Sequence, residues 1–396
     1  MKMGRVFPVL GSLLAFCAVM AVSCSSGATP TTLDSTVSTP ASMTTSSSSV
    51  PDSPGAATTS TSLEGGESEA VLFPVRYNEK WGYIDLNGVV VVEPQFDEAY
   101  AFSDGLGRIG VDQDTVGMFG FIDATGAIVI TPQFSWASDF SEGLSMARAT
   151  AGGKSGYIDK GGTWVVEPQF INAGEFHDGL APVQLTADDL VGYIDTTGAN
   201  AIAPLSREAL PFSDGLAVVA APQDLGTRDM FGYVDETGTW AIEPRFYDAS
   251  SFSEGLALVS FPAKGGEEAG YIDKAGNVVF ALQVPQAEPR SSADFSFSEG
   301  LAAWVGGDGR WGFIDKTGGF AIAPELDQVT AFCDGLAAVC VTLNKDTWGY
   351  IDNRGAWVIE PQFRLARPFS HGLAAVVIGD KSAYIDRTGK VVWKAP

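Results

Sequence analysis

The stretch Trp81-Gly82-Tyr83-Ile84-Asp85-Leu86-Asn87-Gly88-Val89-Val90-Val91-Val92-Glu93-Pro94 decides the fold of this 396-residue chain. Its aromatic-Gly-aromatic-Ile run reads as a short strand. Asp85 then stands first and Gly88 fourth in a turn, the arrangement in which an Asp side chain caps the turn and a left-handed Gly closes a hairpin. A β-branched run follows and reads as a second strand up to Pro94, which donates no N–H and is expected to end it. Working outward, the turn Asp recurs at 85, 123, 159, 195, 235, 273, 315, 352 and 386, so the unit is present nine times, 34 to 42 residues apart. Prolines at 94, 132, 168, 204, 244, 324 and 361 mark the same strand end. After each connection comes a segment such as Phe102-Ser103-Asp104-Gly105-Leu106 and a further alternating strand. Nine three-stranded antiparallel meanders therefore fill residues 72–396.

Repetition at this period means that each unit buries its apolar face on its neighbours. The class is all-β, with the meanders stacked into an open superhelical array or closed as a propeller-like ring. Leu72-Phe73-Pro74-Val75 lines up with Leu180-Ala181-Pro182-Val183, so an N-terminal strand and the C-terminal hairpin are candidates to share one closing blade. Nine blades being many for a ring, the open array is the favoured expectation.

The N-terminus reads as an address. Lys2 and Arg5 precede an apolar run that ends in Ala21-Val22-Ser23-Cys24, the pattern of a secretory signal over 1–23, and too short for a transmembrane helix. Small residues just before a cysteine resemble the lipobox of bacterial lipoproteins, which implies lipidation at Cys24. Of residues 25–66, 34 of 42 are Ser, Thr, Pro, Ala or Gly and none is aromatic. A segment of that kind cannot offset its ordering entropy by burial, so 24–67 is expected to be a tether and 68–396 the repeat domain.

Composition narrows the function. With 24 Lys and Arg against 48 Asp and Glu, the net charge of −24 repels phosphate backbones and anionic surfaces, which argues against nucleic acid and leaves the lipid anchor as the sole membrane contact. His177 and His371 are the only histidines, so histidine triads and multi-histidine metal sites have little to draw on. No Asp-x-Asp-x-Asp loop is present. Cys333 and Cys340 alone are left for the folded part, which allows one bridge and no disulfide framework. No metal, cofactor or catalytic residue is expected.

The repeats resemble those of bacterial WG-repeat proteins, which carry a Trp-Gly dipeptide, an aromatic-Ile-Asp-x-x-Gly turn, a Pro-x-Phe and a Phe-Ser-Glu-Gly-Leu segment. Full Trp-Gly stands only at Trp81-Gly82, Trp311-Gly312 and Trp348-Gly349, and the last copy, Ser382-Ala383, loses the Gly too. The resemblance implies a repeat unit and leaves function open.

Most recurring acids read as turn caps, because they occupy the same repeat positions. Departures from the repeat are better pointers to binding, the longest being 283–294, 222–230 and 262–268. Trp164, Trp240 and Trp357 share one repeat position, a row that suits sugar stacking or packing between repeats, the latter being favoured. The expected function is a cell-envelope-anchored, non-enzymatic scaffold for an envelope or extracellular protein or peptide. A cell-wall or glycan-binding module is the alternative, and a glycan hydrolase working through paired carboxylates the third reading.

Overall fold

The computed structural model describes residues 71–113, 116–187, 190–221, 230–263, 266–282, 295–341 and 347–396. Their fold is a nine-bladed β-propeller of nine small antiparallel sheets, without a helix among the described residues. The ring is closed, which corrects the expectation of an open array. No blade is shared between the two ends either. The first sheet is β1 (Phe73–Tyr77), β2 (Lys80–Ile84) and β3 (Val90–Phe96), and the last is built wholly from Leu365–Ser370, Leu373–Ile378, Lys381–Asp386 and Val391–Lys394.

Six sheets carry four strands and three carry three, so the three-stranded unit is incomplete as a description. The added strand comes from the connection. In the second blade β4 (Glu98–Ser103) pairs with β5 (Leu106–Gln113), which pairs in turn with β6 (Val116–Ile122) and β7 (Ile128–Phe134). In the third blade this first strand shrinks to β8 (Trp136–Ala137), ahead of β9 (Leu144–Arg148), β10 (Ser155–Asp159) and β11 (Trp164–Phe170). Groups from blades one to four fall within electrostatic reach of one another beside this strand, Tyr83 and Glu175 both sensing Asp139 and Arg108. That proximity places it at the inner edge, next to the propeller axis. The opposite edge strands, such as β3 and β11, alternate exposed and buried residues as an outer rim.

Proline does not end the outer strand. β3 runs through Pro94 to Phe96, and its pairing with β2 jumps from Tyr83↔Val92 to Trp81↔Phe96, so four residues face two in a bulge. The missing N–H therefore falls where the ladder is already broken, and the bulge blunts an exposed edge. The same bulge explains the Gly of the Trp-Gly pair: a Cβ on Gly82 would sit 2.3 Å from the Val92 carbonyl oxygen and 2.7 Å from Pro94 N. The double shift is absent from the sixth blade, which keeps Gly270, and from the last, where Ala383 pairs with Lys394 and Tyr384 with Trp393 and Ala is tolerated.

The Asp turn is as expected. Asp85 Oδ1 accepts from the N–H groups of Asn87 and Val89 at 2.9 and 2.8 Å, and Gly88 lies at φ 79°. The Asn277 side chain and then backbone N–H groups hold Asp273 below the ordinary carboxylate range, and at Asp85 the opposing burial is outweighed by the Val89 N–H, the Asn87 side chain and further backbone N–H groups together, with the same result.

Candidate binding surface

The Phe-Ser-acid-Gly-Leu segment forms the turn between the inner and second strands. Its acid in seven copies, and His371 in the eighth, adopts φ between 52° and 56°, and the Gly follows in the same region, a type I′ hairpin turn. An Asp or Glu held there needs a reason, since left-handed backbone costs energy for any residue with a Cβ. The reason lies in the next blade. Asp104, Glu142, Asp178, Asp214, Glu254, Glu299 and Asp334 each accept the backbone N–H of the following blade's turn Gly, from Gly143 to Gly372, at 2.6–3.0 Å. The serine before the acid donates onward as well. Ser103, Ser141, Ser213, Ser253 and Ser298 bond the carbonyls of Phe140, Phe176, Phe252, Phe297 and Phe332 in the next blade at 2.6–2.8 Å.

That phenylalanine completes the clasp. In all eight interfaces crossed by the chain it packs on the aromatic before Ile-Asp in the preceding blade, from Tyr83–Phe102 at 5.6 Å to Tyr350–Phe369 at 4.7 Å. Where the aromatic is Tyr its hydroxyl reaches a backbone carbonyl of the next blade, as Tyr157 to Gly174 and Tyr193 to Leu210, both 2.7 Å. Burial pushes these phenols up, so they remain donors. The turn Asp residues cap their own hairpins, and the acids, serines and tyrosines of the clasp are engaged between blades. The sequence reading as turn caps was right about their structural role and missed that they cap a neighbour.

The departures fall in telling places. His371 replaces the acid in the ninth blade, where Ser370 Oγ lies 2.9 Å from His371 Nδ1, and the described part of the first blade shows no turn of this kind ahead of β1. His177 and Cys333 replace the serine, so both histidines are turn residues as expected. Cys333 and Cys340 are buried, and Cys333 is disulfide-bonded.

Trp164, Trp240 and Trp357 are half-buried. Trp164 meets Phe134 of the preceding blade edge-on at 5.5 Å, and the rings of Trp240 and Trp357 lie over the Trp-Gly-position glycines Gly232 and Gly349. The row is part of the packing, which removes the observation that suggested sugar stacking. Residues 283–294, 222–229 and 264–265 of the three insertions, and Cys24 with the signal and tether, lie outside the described residues.

One charged group at the inner rim was not singled out by sequence. Arg108 Nε lies 3.0 Å from Asp139 Oδ1, its guanidinium stacks 3.7 Å from the Tyr100 ring centre, and Glu175 Oε2 is 3.9 Å from His177 Nε2. Burial raises Asp139 against the pull of Arg108; burial and then Asp139 raise Glu175. Other blades place Ala101, Pro211, Ser251 or Ala331 at the repeat position of Asp139 and Glu175, and a repeat alignment by blade would have found the pair. Among the described residues no group of three or more His, Cys, Asp or Glu is arranged to hold a metal ion.

A repeated β-meander with a Trp-Gly dipeptide, closed into a propeller through its own motif residues, defines a class of ring-shaped repeat proteins. The chain belongs to the WG containing repeat family, whose pattern matches residues 81–113, 119–154, 156–186, 192–220, 231–261, 311–342 and 348–381, more than half of the sequence. No curated protein matches it in sequence. In structure it is similar to a eukaryotic initiation factor, with TM-score 0.53 and 10% identity over 82% of this chain and 96% of that one. It is more distantly similar to a streptogramin B lyase, with TM-score 0.33 and 14% identity over 71% of this chain and 90% of that one. Such likeness speaks to the fold alone.

Proposed function

We propose that the protein is a non-enzymatic binding scaffold, exported and anchored to a bacterial cell envelope through a lipid on Cys24, that presents the propeller to an envelope or extracellular protein. The observation that carries this reading is the use of the motif side chains. The repeated acids, serines and tyrosines that chemistry would require are spent on blade-to-blade hydrogen bonds, which supports a rigid display surface over a reaction centre. The signal-like N-terminus and the aromatic-free tether supply the anchoring half of the reading.

The test is a pull-down from envelope extract with the purified protein, beside a binding assay on isolated cell wall. Specific, saturable capture of a protein is expected. Saturable retention on cell wall, competed by free sugar, would overturn the reading in favour of a glycan-binding module. For the anchor, mass spectrometry of the exported protein should find Cys24 as the acylated N-terminal residue, and an unacylated Cys24 would remove it.

A further inference from the structure

We propose that the ninth blade carries a docking site for an acidic segment of a partner protein, at a row of bases formed by Arg364, Lys381 and Lys394. The inference rests on the protein-binding reading above and names the surface used and the chemistry of the partner. Charge is shared unevenly around the ring. Residues 364–394 hold six Lys or Arg against two Asp, a local net charge of +4 in a chain of −24, so the remainder stands at −28. Each of the other eight repeat units has more Asp and Glu than Lys and Arg.

Bases elsewhere are drawn into contacts between blades: Lys160 lies 2.8 Å from Asp104 and Lys316 3.1 Å from Glu254. The ninth blade leaves its own in solvent. Arg364 meets Asp380 at 3.1 Å with both side chains largely exposed, a solvated pair of small worth. Lys381 and Lys394 are exposed and have no ion-pair partner among the described residues. Their placement follows from register. Ala383 pairs with Lys394, and Lys381 stands two residues from Ala383, so strand alternation turns both lysines to one side of the sheet. Arg364 is held at the same end of the blade, its N–H bonded to the Val377 carbonyl at 2.9 Å and its guanidinium on Asp380, the residue before Lys381. The other exposed pair of bases, Arg387 and Lys390, lies at the opposite end, beside the Asp386 turn.

The row crosses the sheet from its inner to its outer strand, about 14 Å at the usual strand spacing, which an extended segment of about five residues spans. Acids at alternate positions of such a segment would fall on one side of it and face the three bases. Screening selects a short segment over a broad anionic surface. At physiological ionic strength fields decay over about 8 Å, so a segment confined to this blade meets its positive charge, whereas a plane laid against the ring meets the acids of the other eight blades as well.

The probe is a rhodamine-labelled peptide, Glu-Ser-Glu-Ser-Glu, titrated with the purified protein at low salt and read by anisotropy. Saturable binding is expected, weakened about tenfold or more by the double variant Lys381→Glu, Lys394→Glu, with a thermal melt confirming that the variant is folded. Lys154→Glu, which reverses an exposed base of the third blade, should change the affinity by less than about twofold. No saturation up to about 1 mM, or an equal loss in Lys154→Glu, overturns the site. Capture by phosphatidylglycerol vesicles that the double variant loses, with no binding of the peptide, overturns it by giving the bases to a lipid surface. A concentration-dependent dimer lost in the double variant also overturns it, by giving them to a second copy. Envelope protein capture that is undiminished in the double variant would sink the site while leaving the scaffold reading intact.

Discussion

The seam between the ninth and first blades differs from the eight other interfaces in one respect that orders everything else: among the described residues no peptide crosses it. Elsewhere the clasp adds to covalent linkage, with a buried Phe, a serine hydroxyl and a carboxylate reaching forward. Among the described residues the clasp has no receiving turn at the seam. Two of the regular contacts survive, the tyrosine bond from Tyr384 to Pro74 and the approach of Gly88 to the Val392 carbonyl on the last outer strand. The third is replaced. Where the other copies have Gly107, Ser145 or Ala181, the first has Phe73, buried and 5.6 Å from the Tyr384 ring. The small residue elsewhere makes room for the clasp Phe, since a Cβ on Gly107 would meet Phe102 at 2.5 Å. Phe73 thus fills from the second strand the space that the missing arm would fill from the first. Among the described residues the seam core is the smallest, with Phe73, Val75, Ile84 and Leu373 as its buried members.

The comparison breaks most sharply at Phe73. Phe73→Ala and Phe176→Ala should each cost about 3–5 kcal/mol of packing, the usual range for a buried Phe. Their consequences should part. With no chain across the seam, Phe73→Ala is expected to open the ring, giving a larger radius of gyration by X-ray scattering and faster proteolysis; Phe176→Ala should melt earlier while keeping its radius. Equal radii for the two would show that the seam is held by something other than this ring.

Next in size is the Trp-Gly glycine. Gly156→Ala puts a Cβ 2.3 Å from the Val166 carbonyl and should lower stability by about 1–3 kcal/mol through backbone overpacking. Ala383→Gly, in a blade without the double bulge, should change the chemical denaturation midpoint far less, by the propensity cost alone, under about 1 kcal/mol. A large effect at Ala383 would break the link between the glycine and the bulge.

Much of this was legible in the sequence. The nine units, the Asp turn, the alignment of Leu72-Phe73-Pro74-Val75 with Leu180-Ala181-Pro182-Val183 and the turn placement of both histidines follow from local spacing, which the chain writes directly. Ring closure was not legible, because it depends on small rotations between sheets that no single repeat encodes. The strand through Pro94 was missed because the rule against proline in a ladder holds only where the ladder is regular. The clasp was half legible: recurrence at one position marked the acids as structural, but a bond to a residue 36 to 46 positions away has no local signature. Phe73 was visible as a residue, and its meaning needed the knowledge that the arm was missing.

Smaller effects should come from the clasp bonds. Asp178→Ala leaves the Gly215 N–H without its partner and should cost about 1 kcal/mol, near the usual net worth of such a bond. His371→Asp restores the motif where no turn Gly follows, and its melting temperature should match wild type. Stabilisation by His371→Asp would mean that the seam holds a receiving donor after all.

The inner-rim charges of blades two to four set a region of imposed electrostatics against the apolar seam, and pH separates the two. Burial, reinforced by Asp139, raises the Glu175 carboxyl, so the folded state holds this proton more tightly than the unfolded chain does. By linkage the contribution of Glu175 to stability is greatest below the unfolded carboxylate range, near pH 4.3, and declines as pH rises through the elevated folded value. Glu175→Gln should therefore melt slightly above wild type at pH 8 and converge with it toward pH 4. His177, 3.9 Å away, offsets part of this rise, so the gap should widen in a His177→Ala background. Phe73→Ala, which touches none of these groups, should keep its destabilisation across the same range, and a matching pH slope in both variants would show that the rim and the seam are not independent.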